Sequence, residues 1–235
     1  MNIFQAKGFS TVSLGGDQIL SKEKRMDPKQ IVADGYDHIA EQHEAWASDV
    51  RVEERAKYTS VLLEKLPEGA KVLELGCGSG MPTTQLLAEK FAVIGVDISS
   101  RQVELAQQQV PAAKFIHADM TKLDFPDNSF DAVTAFYSII HVPRQEQVEL
   151  LNKIASWLRP GGLLVITMGA HSTEACFNED FLGMPMYWSN FDSETNRRLV
   201  KEADLDIISA IDETADEFDN PITFLWVVAQ KSNTT

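Results

Sequence analysis

From Lys71 onward, short apolar runs alternate with segments of helical spacing: KVLEL, PTTQLLAEK, FAVIGVD, SRQVELAQQQ, KFIHAD and FDAVTAFY follow one another. That alternation predicts a parallel sheet covered by helices on both faces, because parallel neighbours need a crossover long enough to be a helix. The series continues through a helix near QEQVELLNKIASWL, the turn RPGG and the strand LLVITM. It closes with a helix near SETNRRLVKEA, for which Asp192 is the expected N-cap, and two apolar runs, LDIISAI and ITFLWVVAQ. Ahead of the series, Asp27 can cap a helix whose first turn accommodates Pro28, and a second helix is predicted over 51–66. Residues 27–66 therefore read as a helical cap and 1–26, which lack a sustained period, as a loosely held extension. Residues 169–190 read as irregular. At 235 residues, one domain over 27–235 is the expected organisation.

The first strand ends in ELGCGSG, with glycines at 76, 78 and 80. A strand that runs through glycines straight into a helix lets backbone amides approach a ligand with no side chain between. The lysine followed by Ser or Thr that a triphosphate loop requires is missing, which disfavours an ATPase. The spacing is GxGxG rather than the GxGxxG of dinucleotide sites, so NAD fits imperfectly. Asp97 ends the second strand, where its two oxygens can accept from the two hydroxyls of a ribose.

Composition narrows the partner. The formal charge of −14 disfavours a nucleic-acid backbone, whose binding draws on clustered lysine and arginine. No apolar run approaches a bilayer span and no signal-peptide pattern opens the chain, so the cytosol is the expected address. The two cysteines, Cys77 and Cys176, have no metal-ligand spacing, and neither a metal site nor a disulfide is expected. Oligomeric state is left open.

ELGCGSG, VIGVDIS, FIHADMTKLDFPDNSFDAVTA and LRPGGLLVIT occur in an order and spacing that resembles the class I S-adenosylmethionine-dependent methyltransferases of the type 11/25 kind, over about Tyr36 to Gln230. The resemblance implies a Rossmann-like seven-stranded sheet of order 3-2-1-4-5-7-6 with the last strand antiparallel. It also implies that S-adenosylmethionine is the cofactor and S-adenosylhomocysteine the product. By the same pattern Glu74, Gly76, Cys77, Gly78 and Gly80 hold the cofactor's amino-acid end, Asp97 its ribose and Asp119 its adenine amino group. Ile98, Met120 and Phe136 would pack beside it, and Tyr36 would close over the methionine end and take part in catalysis. Read as residues alone, Asp119 can equally cap its loop and Tyr36 can be a core aromatic.

The methyl acceptor belongs beyond the carboxyl ends of strands four and five. His141 stands there, either to take a proton from the acceptor or to pack against the cofactor. A lid over 169–192 contains FLGMPMYWSNFD, whose Met184, Met186, Tyr187 and Trp188 are candidates for an apolar wall over a small metabolite; His171 and Trp46 are further lid candidates. The expected function is methyl transfer to a small molecule. Two alternatives remain at this point: a protein that binds S-adenosylmethionine without methylating, and a NAD-linked oxidoreductase.

Overall fold

In this computed structural model, residues 27–233 are described. The proposed extension 1–26 lies outside them. Helix α1 (Pro28–Ala47) starts as expected, with the Asp27 carboxylate accepting from the Lys29 amide at 3.0 Å and Pro28 in the first turn. Helix α2 (Val52–Lys65) follows. The alternating series then gives β1 (Lys71–Leu75), α3 (Thr83–Ala88), β2 (Ala92–Asp97), α4 (Ser100–Gln109), β3 (Lys114–His117), β4 (Phe130–Ala135), α5 (Arg144–Trp157) and β5 (Leu158–Gly169).

Within β1 the period-2 rule divides the core. Val72 joins Val93, Ala132 and Trp226 on the face covered by α2 and α3, whereas Leu73 and Leu75 join Val133, Ile154 and Val200 on the face covered by α5 and a further helix, α6 (Ser193–Glu202). Helix α6 is capped by Asp192, which accepts from the Thr195 amide at 2.9 Å. The last two strands are β8 (Leu205–Glu217) and β9 (Asn220–Lys231), and the sheet order is β3-β2-β1-β4-β5-β9-β8. Strand β9 lies antiparallel beside β5, so the order is the expected one once a hairpin has entered the numbering.

That hairpin corrects one expectation. The segment predicted as irregular forms β6 (Thr173–Phe181) and β7 (Met184–Asn190), a separate antiparallel two-stranded sheet. Leu182 and Gly183 turn it at φ of 54° and 90°, the left-handed conformation of a two-residue hairpin loop. Acidic residues and Pro185 interrupt its apolar alternation, which conceals the strands in the sequence. The terminal hairpin is also longer than its apolar runs suggest. Strand β9 pairs with β5 only over Phe224–Gln230, and the remaining arm extends past the sheet to a Phe218–Asp219 turn.

Helix α1 crosses the carboxyl ends of the strands and is fastened there. Asp37 accepts from Ser99 Oγ at 2.6 Å and from the Arg101 amide at 3.0 Å, and Lys29 reaches Asp119 at 2.8 Å and Glu146 at 2.7 Å. Among the described residues no helix is long and apolar enough to cross a membrane.

Candidate functional site

A cavity of about 630 Å³ opens beyond the carboxyl ends of β1, β2, β4 and β5, roofed by α1 and by the tips of the two hairpins. Its floor begins at the glycine loop, where Gly76, Gly78 and Gly80 have φ of 75°, 54° and 82°. A Cβ at position 76 would lie 2.2 Å from Ser138 Cβ, so the loop after β4 can approach only a glycine. A Cβ at position 78 would meet nothing nearer than Gln102 Oε1 at 3.8 Å. Gly80 does not line the cavity; it faces the end of α4, where a Cβ would lie 3.1 Å from Val110.

Asp97 joins the loop to the second strand. Its Oδ2 accepts from the Gly78 amide and its Oδ1 from the Ser99 amide, both at 2.9 Å, which leaves each oxygen a further lone pair. Burial raises its carboxyl above the usual range against those same bonds. Glu74 is buried at 3% exposure and accepts from Thr84 Oγ1. Burial, reinforced by Asp97, pushes it up to about 8, so it is largely protonated at neutral pH. Cys77, Ile98, Met120 and Phe136 line the cavity. Burial raises the Cys77 thiol well above its ordinary range, which keeps it protonated.

Asp119 lines the cavity but already has partners. Its Oδ1 accepts from the Thr121 amide and hydroxyl at 2.9 and 2.8 Å, and Lys29 Nζ lies 2.8 Å from Oδ2. Burial alone would raise this carboxyl; Lys29 and the Thr121 donors outweigh it and hold it below the usual range. Asp119 thus caps its loop and ties α1 to it while lining the cavity.

Tyr36 and His141 meet in the roof. Tyr36 Oη lies 2.9 Å from His141 Nε2, and His141 Nδ1 lies 2.8 Å from the Tyr187 carbonyl oxygen. A carbonyl only accepts, so Nδ1 carries the proton; in the neutral ring Nε2 then accepts from the Tyr36 hydroxyl. Burial pushes His141 down to about 4 and raises the Tyr36 phenol, so both are neutral at pH 7. The sequence placed both residues here but did not reveal that each is bound to the other.

Trp46, His171 and Trp188 also line the cavity. Met186 and Tyr187 do not, which corrects the expectation of an apolar wall built from them. They are 0% and 3% exposed and pack with Val32 and Ile39 of α1, where a Cβ at Gly35 would lie 2.9 Å from the Pro185 carbonyl oxygen. Both are buried where β7 packs under α1 and beside β6, Tyr187 against Phe177 at 5.0 Å, and Tyr187 contributes its backbone oxygen to the site.

Several cavity residues were missed altogether: Lys29, His43, Arg51, Arg55, Tyr137 and Phe218. One signal was available. Arg51 and Arg55 stand at the N-terminus of α2, where the helix dipole disfavours cations, so their placement there calls for a reason outside the helix.

The displaced acidities set a pH dependence. Glu74 is raised from 4.5 to about 8, so the folded chain binds the proton more tightly. Its contribution to stability is full below pH 4.5 and is lost as pH rises through 8. We expect Glu74→Gln to gain stability relative to the parent between pH 5 and 8, by on the order of a few kcal/mol, in urea denaturation at each pH. A difference independent of pH would mean that Glu74 titrates normally.

A family model described as a methyltransferase domain matches residues 72–162. The chain is 36% identical over 127 residues to Methyltransferase GfsG of Streptomyces halstedii, covering 50% of this chain and 45% of that protein. Alignments to the first curated relatives cover between 21% and 57% of their lengths. Among solved structures, 1,6-didemethyltoxoflavin-N1-methyltransferase of Burkholderia thailandensis, with bound 1,6-didemethyltoxoflavin and S-adenosylhomocysteine, is similar at a TM-score of 0.66 and 17% identity. That likeness covers 92% of this chain and 93% of that one. The [4+2]-cyclase SpnF is similar at 0.67 and 18%, covering 88% and 97%. At these identities the structural likenesses establish the fold.

Proposed function

We propose that this chain, a member of the class I S-adenosylmethionine-dependent methyltransferase superfamily, transfers a methyl group to a small organic acceptor held beneath α1 and the two hairpins. The observation that carries the reading is one cavity holding both a glycine loop hydrogen-bonded to a strand-end aspartate and, in its roof, a tyrosine–histidine pair.

The residues present fit the cofactor. Open space at Gly78, spare lone pairs on Asp97, and a buried Gln102 whose side-chain oxygen and nitrogen both lack partners suit a ligand with hydroxyls and an amino-acid end. Gly76 and Gly78 would present backbone to that end, Asp97 would take the ribose, and Ile98, Met120 and Phe136 would pack beside the base. When bound, S-adenosylmethionine supplies an electrophilic methyl group on a cationic sulfur. Tyr36 Oη donates to His141, and its lone pairs are free to accept from an acceptor hydroxyl. A proton leaving that hydroxyl can pass to Tyr36 as the phenol proton moves to His141 Nε2, which leaves Tyr36 neutral and His141 a single imidazolium that carries the positive charge lost from the cationic sulfur.

Glycine spacing and the antiparallel β9 disfavour the NAD alternative. A non-methylating protein that binds the same cofactor has one observation in its favour, the likeness to a structure named for a cyclisation. Incubation with methyl-labelled S-adenosylmethionine and a metabolite extract separates the two. Labelled product and S-adenosylhomocysteine are expected in equal amounts; cofactor binding with neither product formed would replace methyl transfer with the non-methylating reading.

A further inference from the structure

Among the described residues no carboxylate contacts Arg55, although the charges of Glu217 and Glu54 act on it from beyond contact distance. Arg55 Nη1 donates to the carbonyl oxygens of Ala47 and Val50, both at 2.6 Å, and its guanidinium lies 5.1 Å from the Tyr137 ring centre. The two carboxylates whose charges act on Arg55 both contact Arg51 instead, Glu217 through Nε and Glu54 at 3.6 Å from Nη1. The chain has 35 acidic residues against 21 basic ones, so the missing contact does not reflect a shortage of carboxylates. Arginine keeps its charge in proteins, and an enclosed guanidinium that no carboxylate contacts gains from a ligand that hydrogen-bonds to it directly.

Two more donors are unused at the same place. The Tyr137 hydroxyl is buried with no partner, and Arg51 Nη1 is buried with no hydrogen bond. Arg51 lies over the Phe224 ring at 4.8 Å and within 5.8 Å of the Tyr137 ring centre, so Tyr137 is flanked by both guanidiniums. Arg55, Arg51 and Tyr137 all line the same cavity, and two guanidiniums beside a phenol hydroxyl suit a carboxylate.

The wall between this corner and the tyrosine–histidine pair is aromatic. His43 stands edge-on to Tyr36 at 4.9 Å and tilted against Trp46 at 5.7 Å. Burial first, then the nearby Arg55 and His141, push His43 down to about 4, so this surface is uncharged at neutral pH. Phe181 meets Tyr36, Trp46 and Trp188 edge-to-face, continuing the surface.

We infer that Arg55, Tyr137 and Arg51 form a seat for the carboxylate of the methyl acceptor, whose flat apolar body lies on the aromatic wall toward Tyr36. The inference rests on the methyltransferase reading. The methyl donor has a carboxylate of its own, and the test is built to separate the two.

Calorimetric titration of the S-adenosylhomocysteine-loaded protein with hydroxybenzoates and hydroxycinnamates, against the matching uncharged alcohols, is the experiment. A preference of about tenfold or more for the carboxylates is expected, as for a charge-assisted hydrogen-bonded pair. Arg55→Gln should remove that preference while leaving S-adenosylhomocysteine affinity within about twofold, and Arg55→Lys should restore part of it. No preference in the unaltered protein overturns the proposal without any variant having to fold. A second overturning result is loss of S-adenosylhomocysteine affinity in Arg55→Gln with 5′-methylthioadenosine, which lacks the amino-acid end, binding normally. That result would give the seat to the donor. Failure of the unaltered protein to bind either sulfur nucleoside would instead remove the methyltransferase reading, and the proposal with it.

Discussion

Valine at position 78 is expected to abolish binding of S-adenosylmethionine and S-adenosylhomocysteine while the chain still folds. Gly78 has φ of 54°, which a β-branched residue adopts at a cost of about 1–3 kcal/mol, tolerable for a domain of this size. The space around it is open, with Gln102 Oε1 as the nearest atom at 3.8 Å from an added Cβ. The added carbons therefore occupy the surface where backbone must meet the ligand rather than displacing the protein. A loss of about 100-fold or more in calorimetric affinity is expected, with a urea midpoint reduced only by the strain. Gly76→Ala should behave in the opposite sense. Its Cβ would overlap Ser138 Cβ at 2.2 Å, so the loops after β1 and β4 must separate and stability falls first. Retained affinity in Gly78→Val would move the ligand away from this loop.

Tyr36→Phe is expected to lower kcat by about 10²- to 10⁴-fold for an acceptor that must lose a proton, with cofactor affinity unchanged. The substitution removes only the oxygen that stands 2.9 Å from His141 Nε2. His141→Ala should cost a similar factor in turnover, and it also leaves the Tyr187 carbonyl without its donor, so stability falls by about 1–3 kcal/mol. Because the two residues act as one unit, the double variant should be little slower than either alone. Additive losses would mean separate roles, and unchanged turnover in Tyr36→Phe would reduce the pair to packing.

The parts of the site that were legible in the sequence lie where strands end. Strand ends in an alternating α/β chain have a fixed place in the fold, and Glu74, Gly76, Gly78 and Asp97, which the methyltransferase resemblance grouped, line one cavity. Gly80 shows the limit of that reasoning: it belongs to the same run of glycines, but the turn brings it against Val110 instead of the cavity. Tyr36 and His141 were also found, being 105 positions apart and recognisable only as separate candidates. The hairpin β6–β7 was not, because the acidic residues of β6 and Pro185 in β7 break the alternation by which a strand is recognised.

Apolar periodicity by itself determined the parallel sheet and its helices, since burial on both faces leaves few arrangements for such runs, and glycine spacing determined where a ligand can approach backbone. The cavity wall proposed to seat the acceptor was decided only by tertiary structure. Arg55 and Tyr137 come from a helix start and a strand end 82 positions apart by numbering, and what brings them within 5.1 Å is the packing of α2 against the sheet. Met186 and Tyr187 were excluded from the cavity by the same kind of contact, α1 closing on β7 at Gly35. Side chains converge on a cavity through long-range packing, which local patterns in a chain do not encode.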